Sequence, residues 1–284
     1  MKKVLSLFLA LALCLSCFSI TAFAADVIDG GTFGEELTWE LTDDGTLTIS
    51  GTGPMLDYSS SEKPPWYSFR SDITSVVVQE GVTSIGGWAF RGFSSLTFVS
   101  IPDSATFIGE KAFSSCSSLT VISIPDSVTS IGDQAFSSCS SLTSISIPDS
   151  VTSIGRYAFS HCESLTYISI PDSITSIPEG MIAYCRSLPY CNIPESVTRI
   201  GELAFADNIS LIYTNIPKSV TEIGDMAFAY CSSLIYINIP DSVTSIGEGA
   251  FANCTNLTDV YIPNSVTSIG GAAFGGCSRL NEIR

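Results

Sequence analysis

An Ile-Pro pair recurs at Ile101, Ile124, Ile147, Ile170, Ile193, Ile216, Ile239 and Ile262, always 23 residues after the previous one. A divergent ninth copy, Ile73 to Val78, opens the series. No other feature limits the fold as strongly. A unit of this size cannot bury an apolar face by itself, so its copies must stack until their faces merge into one core. Such a chain grows along an axis by addition, and the usual relation between length and domain number does not apply.

The unit from Leu119 shows what one coil contains. Leu119, Ile122 and Ile124 open it with a short strand, the last two facing inward at the two-residue spacing of extended chain. Pro125 ends the ladder and Pro-Asp-Ser makes a turn, where the Asp is expected to bond its own backbone. Val128 and Ile131 carry a second extended stretch, Gly132 supplies a bend, and Ala135-Phe136 are expected on about one helical turn. At about 4.8 Å per coil, nine coils make a rod roughly 45 Å long.

Seven cysteines share one column: Cys116, Cys139, Cys162, Cys185, Cys231, Cys254 and Cys277, with Asn208 in the same column. Stacked identical positions hold their Cβ vectors parallel, whereas a disulfide needs them convergent. Free buried thiols are therefore expected, and a column offers no tetrahedral metal cluster. One unit departs from the pattern with Pro178, Met181-Ile182, Pro189 and Cys191. Drift accommodated by a pliable Met is one reading, and a kink marking a binding site is the other.

The ends differ from the repeats. Residues 1–24 read as an export signal: Lys2 and Lys3, an apolar run from Val4 to Ile20, then Ala22-Phe23-Ala24 as the cleavage site. A membrane-anchoring helix is the competing reading, and no second apolar run follows that could span a membrane. Residues 25–72 read as a cap. Leu37 to Leu41 and Leu47 to Ile49 alternate in the strand period around Thr42-Asp43-Asp44-Gly45, the pattern of a β-hairpin. Trp39, Trp66 and Tyr67 are expected to cover the first coil of a solenoid spanning residues 73–284, or else to form a binding site. Leu280 and Ile283 begin a further strand with no closing cap legible, so either the product is truncated or that edge meets another molecule.

The unit Leu-x-x-Ile-x-Ile-Pro-x-Ser-Val-x-x-Ile-Gly-x-x-Ala-Phe-x-x-Cys resembles the BspA-like (Treponema-type) family of bacterial leucine-rich repeats. The segment from Gly34 to Gly53 is similar to the region often found ahead of such repeats in gut Firmicutes. The resemblance implies an α/β leucine-rich repeat solenoid, β-rich with short helical turns, behind its amino-terminal hairpin cap. It also implies a secreted or cell-surface protein linked to adhesion to host matrix or to other bacteria.

Catalysis has little to build on. His161 adjoins Cys162, but neighbours on a tight turn point apart, and the Cys belongs to the buried column. No phosphate loop or His-Glu-x-x-His occurs, no Cys-x-x-Cys follows the export signal (which itself holds Cys14 and Cys17), and no cofactor is expected. The formal charge is −16, becoming −18 once the signal leaves 28 acidic side chains against 10 basic. Nucleic acid and anionic membranes are poor partners for it. An acidic column runs Asp103, Asp126, Asp149, Asp172, Glu195 and Asp241, broken by Lys218 and Asn264. Turn formation explains it better than calcium, which wants six to eight oxygens.

An outward column holds Tyr167, Tyr190, Tyr213 and Tyr236, and the next outward column holds Asn192, Asn215 and Asn238. Four tyrosine rungs make a stripe about 15 Å long. Mutual ring stacking is one role for it. The other is contact with a protein or glycan on host or neighbouring cells, because Tyr offers large area at low entropy cost and Asn adaptable hydrogen bonds. A non-catalytic binding protein is the reading these residues favour. A structural or inhibitory rod and a polysaccharide-active solenoid enzyme are the alternatives.

Overall fold

The computed structural model describes residues 25–284, so the export signal expected over residues 1–24 lies outside the described residues. The chain begins with three antiparallel strands, β1 (Val27–Phe33), β2 (Leu37–Thr42) and β3 (Thr46–Gly51). In β2, Leu37, Trp39 and Leu41 are buried while Thr38 and Glu40 are exposed. The two-residue alternation thus commits one face to the core. Gly45 closes the β2–β3 turn, its N–H donating to Thr42 O at 3.0 Å, and it adopts φ 82°. β3 then pairs in parallel with Ser75–Val78, Thr46 opposite Ser75 through Ile49 opposite Val78. The hairpin's edge is therefore the first rung of the solenoid.

Each later coil has three sides. On the first, Ser144–Ser146 pairs in parallel with Tyr167–Ser169, every residue opposite its counterpart 23 positions on. On the second, Ser130–Ile131 pairs in the same way with Ser153–Ile154. The third side differs from the expected helical turn: no α-helix occurs among the described residues, and the single helical element is a 3-10 turn at Pro65–Phe69. Alternate N–H groups here point in different directions. Gln134, Phe136 and Ser138 donate to Arg156, Ala158 and Ser160 of the next coil, each at 2.8 Å. Ala135, Ser137 and Cys139 donate back to Gly132, Gln134 and Phe136 at 3.3, 3.0 and 3.3 Å. A helix turns all its donors along its own axis. Gln134 and Ser138, at φ 56° and 62°, break that direction and let the turn side form a ladder too.

The core is a set of columns. Phe90, Phe113, Phe136 and Phe159 stack with centroids 5.4 to 5.5 Å apart. Trp66 heads the column, fully buried, stacked 5.9 Å above Phe90 and donating Nε1–H to Ala89 O at 3.0 Å. Polar side chains also join the coils: Ser150 Oγ donates to Val128 O at 2.7 Å and Thr143 Oγ1 to Thr120 O at 3.1 Å. The Asp of Pro-Asp-Ser does not bond its turn as expected. The backbone closes that turn itself, with Val128 N–H donating to Pro125 O at 3.1 Å, and the serine supplies the side-chain bond. The carboxylates are left at the surface.

The divergent unit has a defined mechanical effect. Gly155 and Gly201 N–H donate to Ile131 and Ile177 O at 2.8 Å, but Pro178 at the equivalent place has no N–H. Among the described residues no pairing joins Ser153–Ile154 to Ser176–Ile177, and the second-side sheet divides there. Pro189 does the same on the first side. Thr166 and Ile212 N–H donate to Thr143 and Pro189 O at 2.9 and 3.0 Å, while Pro189 can donate nothing. The turn side stays continuous through Phe159 to Met181 and Ile182 to Ala204, at 2.9 and 3.1 Å.

All eight cysteines of the described chain are free and buried, Cys191 included. Column thiols donate to carbonyls of the preceding coil, as Cys139 Sγ does to Phe113 O at 3.3 Å. Burial pushes Cys139, Cys191 and Cys231 up from 9.0 to about 12. A raised folded-state value stabilises the fold fully below the unfolded value and progressively less above it. Cys139, Cys191 and Cys231 should therefore resist iodoacetamide near neutral pH and react only when the chain unfolds. Its denaturation midpoint should fall as pH rises from 9.0 towards 12. Labelling of Cys139 in the folded chain at pH 8, read by mass spectrometry, would contradict this.

Close approach of the coils sets a second test. A Cβ on Gly155 would stand 2.3 Å from Asp133 N of the preceding coil, whereas one on Gly271 meets nothing within 4 Å. Gly155→Ala should lower stability by about 1–3 kcal/mol, and Gly271→Ala should leave the urea midpoint unchanged.

Candidate ligand-binding face

The first side of the coils presents the tyrosines outward. Tyr167, Tyr190, Tyr213 and Tyr236 alternate with the buried Ile168, Cys191, Thr214 and Ile237, so each phenol stands on the outer surface of the sheet. Their exposures run from 45% to 57%, high for residues of this size in a sheet. Tyr190 and Tyr213 face each other across paired strands with centroids 5.9 Å apart and planes 2° from parallel. Tyr167 lies across the interruption that Pro189 makes, and the structure records no ring stacking for it.

The asparagines divide in role. Asn192 and Asn238 are exposed, and Asn192 Oδ1 accepts from Tyr190 OH at 3.3 Å. Asn215 is half-buried and already occupied: its Nδ2 donates to Ile193 O at 3.0 Å and its Oδ1 accepts from Ile193 N–H at 3.1 Å. It ties one coil to the next and has little left to offer a ligand. The adaptable polar contacts of this face are therefore Asn192 and Asn238.

Reading by columns of Tyr and Asn missed a third column. The position just before the tyrosine is Thr in most coils, and its hydroxyl donates to the coil before: Thr97, Thr143 and Thr166 reach Thr74, Thr120 and Thr143 O at 3.0, 3.1 and 3.0 Å. Beside Tyr190, Tyr213 and Tyr236 the same position is Pro189, Ile212 and Ile235. Ile212 and Ile235 are 50% and 51% exposed. Three coils have given up a side-chain hydrogen bond for apolar surface set against the tyrosines. The sequence held the signal, an apolar break in an outward Thr column. Towards the other end of the stripe the side chains shrink. Val121, Ser123, Ser144, Ser146 and Tyr167 line an open recess of about 450 Å³.

The remaining candidates do not assemble into chemistry. His161 stacks on Tyr184 at 4.3 Å, while Cys162 turns inward and donates Sγ–H to Phe136 O at 3.4 Å. Among the described residues no three or more His, Cys, Asp or Glu side chains gather as a metal site. Among the same residues no helix is long and apolar enough to cross a membrane.

The chain matches the BspA type leucine rich repeat region, in 6 copies, over residues 66–189 and 179–284. It is similar to a leucine-rich repeat protein from Bacteroides ovatus at 31% identity, covering 89% of this chain and 70% of that one, with a TM-score of 0.73. A leucine rich cell surface protein from Faecalibacterium prausnitzii is 27% identical, covering 92% of this chain and 96% of that one, with a TM-score of 0.45. A leucine-rich repeat protein from T. pallidum is 26% identical, covering 88% of this chain and 91% of that one, with a TM-score of 0.46. No curated protein matches the chain. The repeat match extends over most of the residues, and the B. ovatus protein shares both sequence and coil geometry: the chain belongs to the BspA-type leucine-rich repeat family and is a repeat scaffold.

Proposed function

We propose that the protein is an exported, non-catalytic binding protein that holds a protein on a host or neighbouring cell. Its contact surface is the stripe of Tyr167, Tyr190, Tyr213 and Tyr236. The observation that carries this reading is the exposed column of Pro189, Ile212 and Ile235 beside three of those rings. Aromatic rings alone suit a glycan as well as a protein. Branched aliphatic side chains exposed in a row next to them suit a protein's apolar surface, since water is a poor neighbour for them and a sugar's hydroxyls are little better. Tyr is over-represented among the residues that dominate protein interfaces. Residues 1–24 supply the export pattern in sequence.

Screening the full chain against immobilised extracellular-matrix and bacterial surface proteins should identify a ligand, and a parallel glycan array should stay blank. Ile212→Thr with Ile235→Thr restores the column's usual residue, so thermal stability should hold while affinity drops at least tenfold. Tyr190→Ser with Tyr213→Ser should act in the same direction. A ligand whose affinity ignores both pairs of changes, or one found only among glycans, would overturn the proposal.

A further inference from the structure

We propose that the start of the solenoid carries a second, separate ligand site, for the charged groups of a carboxylated or sulfated polysaccharide. The chain is acidic, with Lys and Arg totalling 12 against 28 Asp and Glu, so a group of cations stands out. Four gather on two rings. Arg70 Cζ lies 4.4 Å from the Tyr67 centroid, and Lys63 Nζ lies 4.9 Å from it on the way to Trp88 at 5.9 Å. Arg91 Cζ and Lys111 Nζ approach the Trp88 ring to 4.8 and 4.5 Å. Lys111 pairs with Glu110 at 2.7 Å, but Lys63, Arg70 and Arg91 have no ion-pair partner among the described residues.

Like charges drawn to one ring repel each other, and the ring's quadrupole only partly offsets this. An anion between them removes the repulsion and gains charge-assisted hydrogen bonds. The order Arg70, Tyr67, Lys63, Trp88, Arg91 alternates cation and ring. A glycan of acidic sugars alternates in kind, with anionic groups for the cations and C–H faces for the rings. Trp88 is half-buried and Tyr67 likewise, so both rings are held in place and still reachable. The group lies on the cap and the turn side, whereas the tyrosine stripe belongs to the first-side sheet, so the two sites are independent.

Chondroitin sulfate and polygalacturonate serve as probes for the full chain, with dextran as the uncharged control. Trp39 and Trp66 are buried, so quenching of fluorescence by acrylamide, which is uncharged, reports chiefly on Trp88. At low salt at least one polyanion should bind and protect Trp88 from acrylamide, dextran should not, and affinity should fall steeply with added salt. Lys63→Ala with Arg91→Ala should weaken binding at least tenfold. Trp88→Gly should do the same without unfolding, because Trp88 has φ 61° and the same column holds Gly180 and Gly249 at φ 57° and 58°. Tyr190→Ser with Tyr213→Ser should bind the polyanion as the parent does. The proposal fails if neither polyanion binds, if dextran binds equally, if the Lys63 and Arg91 changes leave affinity intact, if the Tyr changes abolish it, or if an acidic peptide or oligonucleotide binds more tightly.

Discussion

The structure depends on one demand: each coil must pass its backbone donors to a neighbour 23 residues away on three sides at once. Thr166 N–H to Thr143 O, Gly155 N–H to Ile131 O and Gln134 N–H to Arg156 O express the same stacking on the first, second and turn sides, at 2.9, 2.8 and 2.8 Å. An unpartnered buried donor costs about 1–3 kcal/mol. A one-residue insertion inside a coil would leave several at once. The demand therefore freezes the inward columns and the Gly at the close approach. It frees the outward columns, and any adaptation to a ligand must appear there. Pro178 and Pro189 are the exceptions: each deletes one donor from one side, and the intact turn-side ladder holds the coils together across the gap.

Much of this was legible in the residues. The 23-residue recurrence fixes the stacking, and the alternation of Leu37, Trp39 and Leu41 fixes the strand face of the cap. The turn side was misjudged because Ala135-Phe136 amid Ser and Gln carries no helix breaker, and one unit alone suits a helical turn. The true signal lay across the units. Glycine enters the Gln134 column as Gly180 and Gly249, and the Ser138 column as Gly92 and Gly276, all at positive φ. Glycine in only some copies of a column marks a backbone that turns left-handed in every copy. Non-glycine residues there cost roughly 1–2 kcal/mol apiece, which the coil-to-coil bonds offset.

The candidate face was half legible. Outward tyrosines follow from alternation alone, and their exposure agrees with it. What no single column revealed is that Asn215 belongs to the scaffold while Asn192 does not. Both follow an outward tyrosine by two residues, and only the position of the neighbouring coil's Ile193 decides that one amide is taken. The cation-bearing rings of the cap were likewise hidden. Lys63, Tyr67 and Trp88 are brought together by the cap folding back over the first coil, a contact outside the repeat register.

The two surfaces then answer to different physics. The tyrosine and isoleucine face gains from removing apolar area from water, an effect that salt does not screen. The cap's cations act through charge, which falls off over about 10 Å at moderate ionic strength. In a chain with 28 acidic against 12 basic side chains, the second mechanism is local, because the net charge of the chain as a whole repels a polyanion. A repeat scaffold makes such separation cheap, because an outward side chain can change on one coil without disturbing the columns that hold its neighbours. The net acidity therefore sharpens the contrast of the cations at the cap while leaving the apolar stripe unaffected.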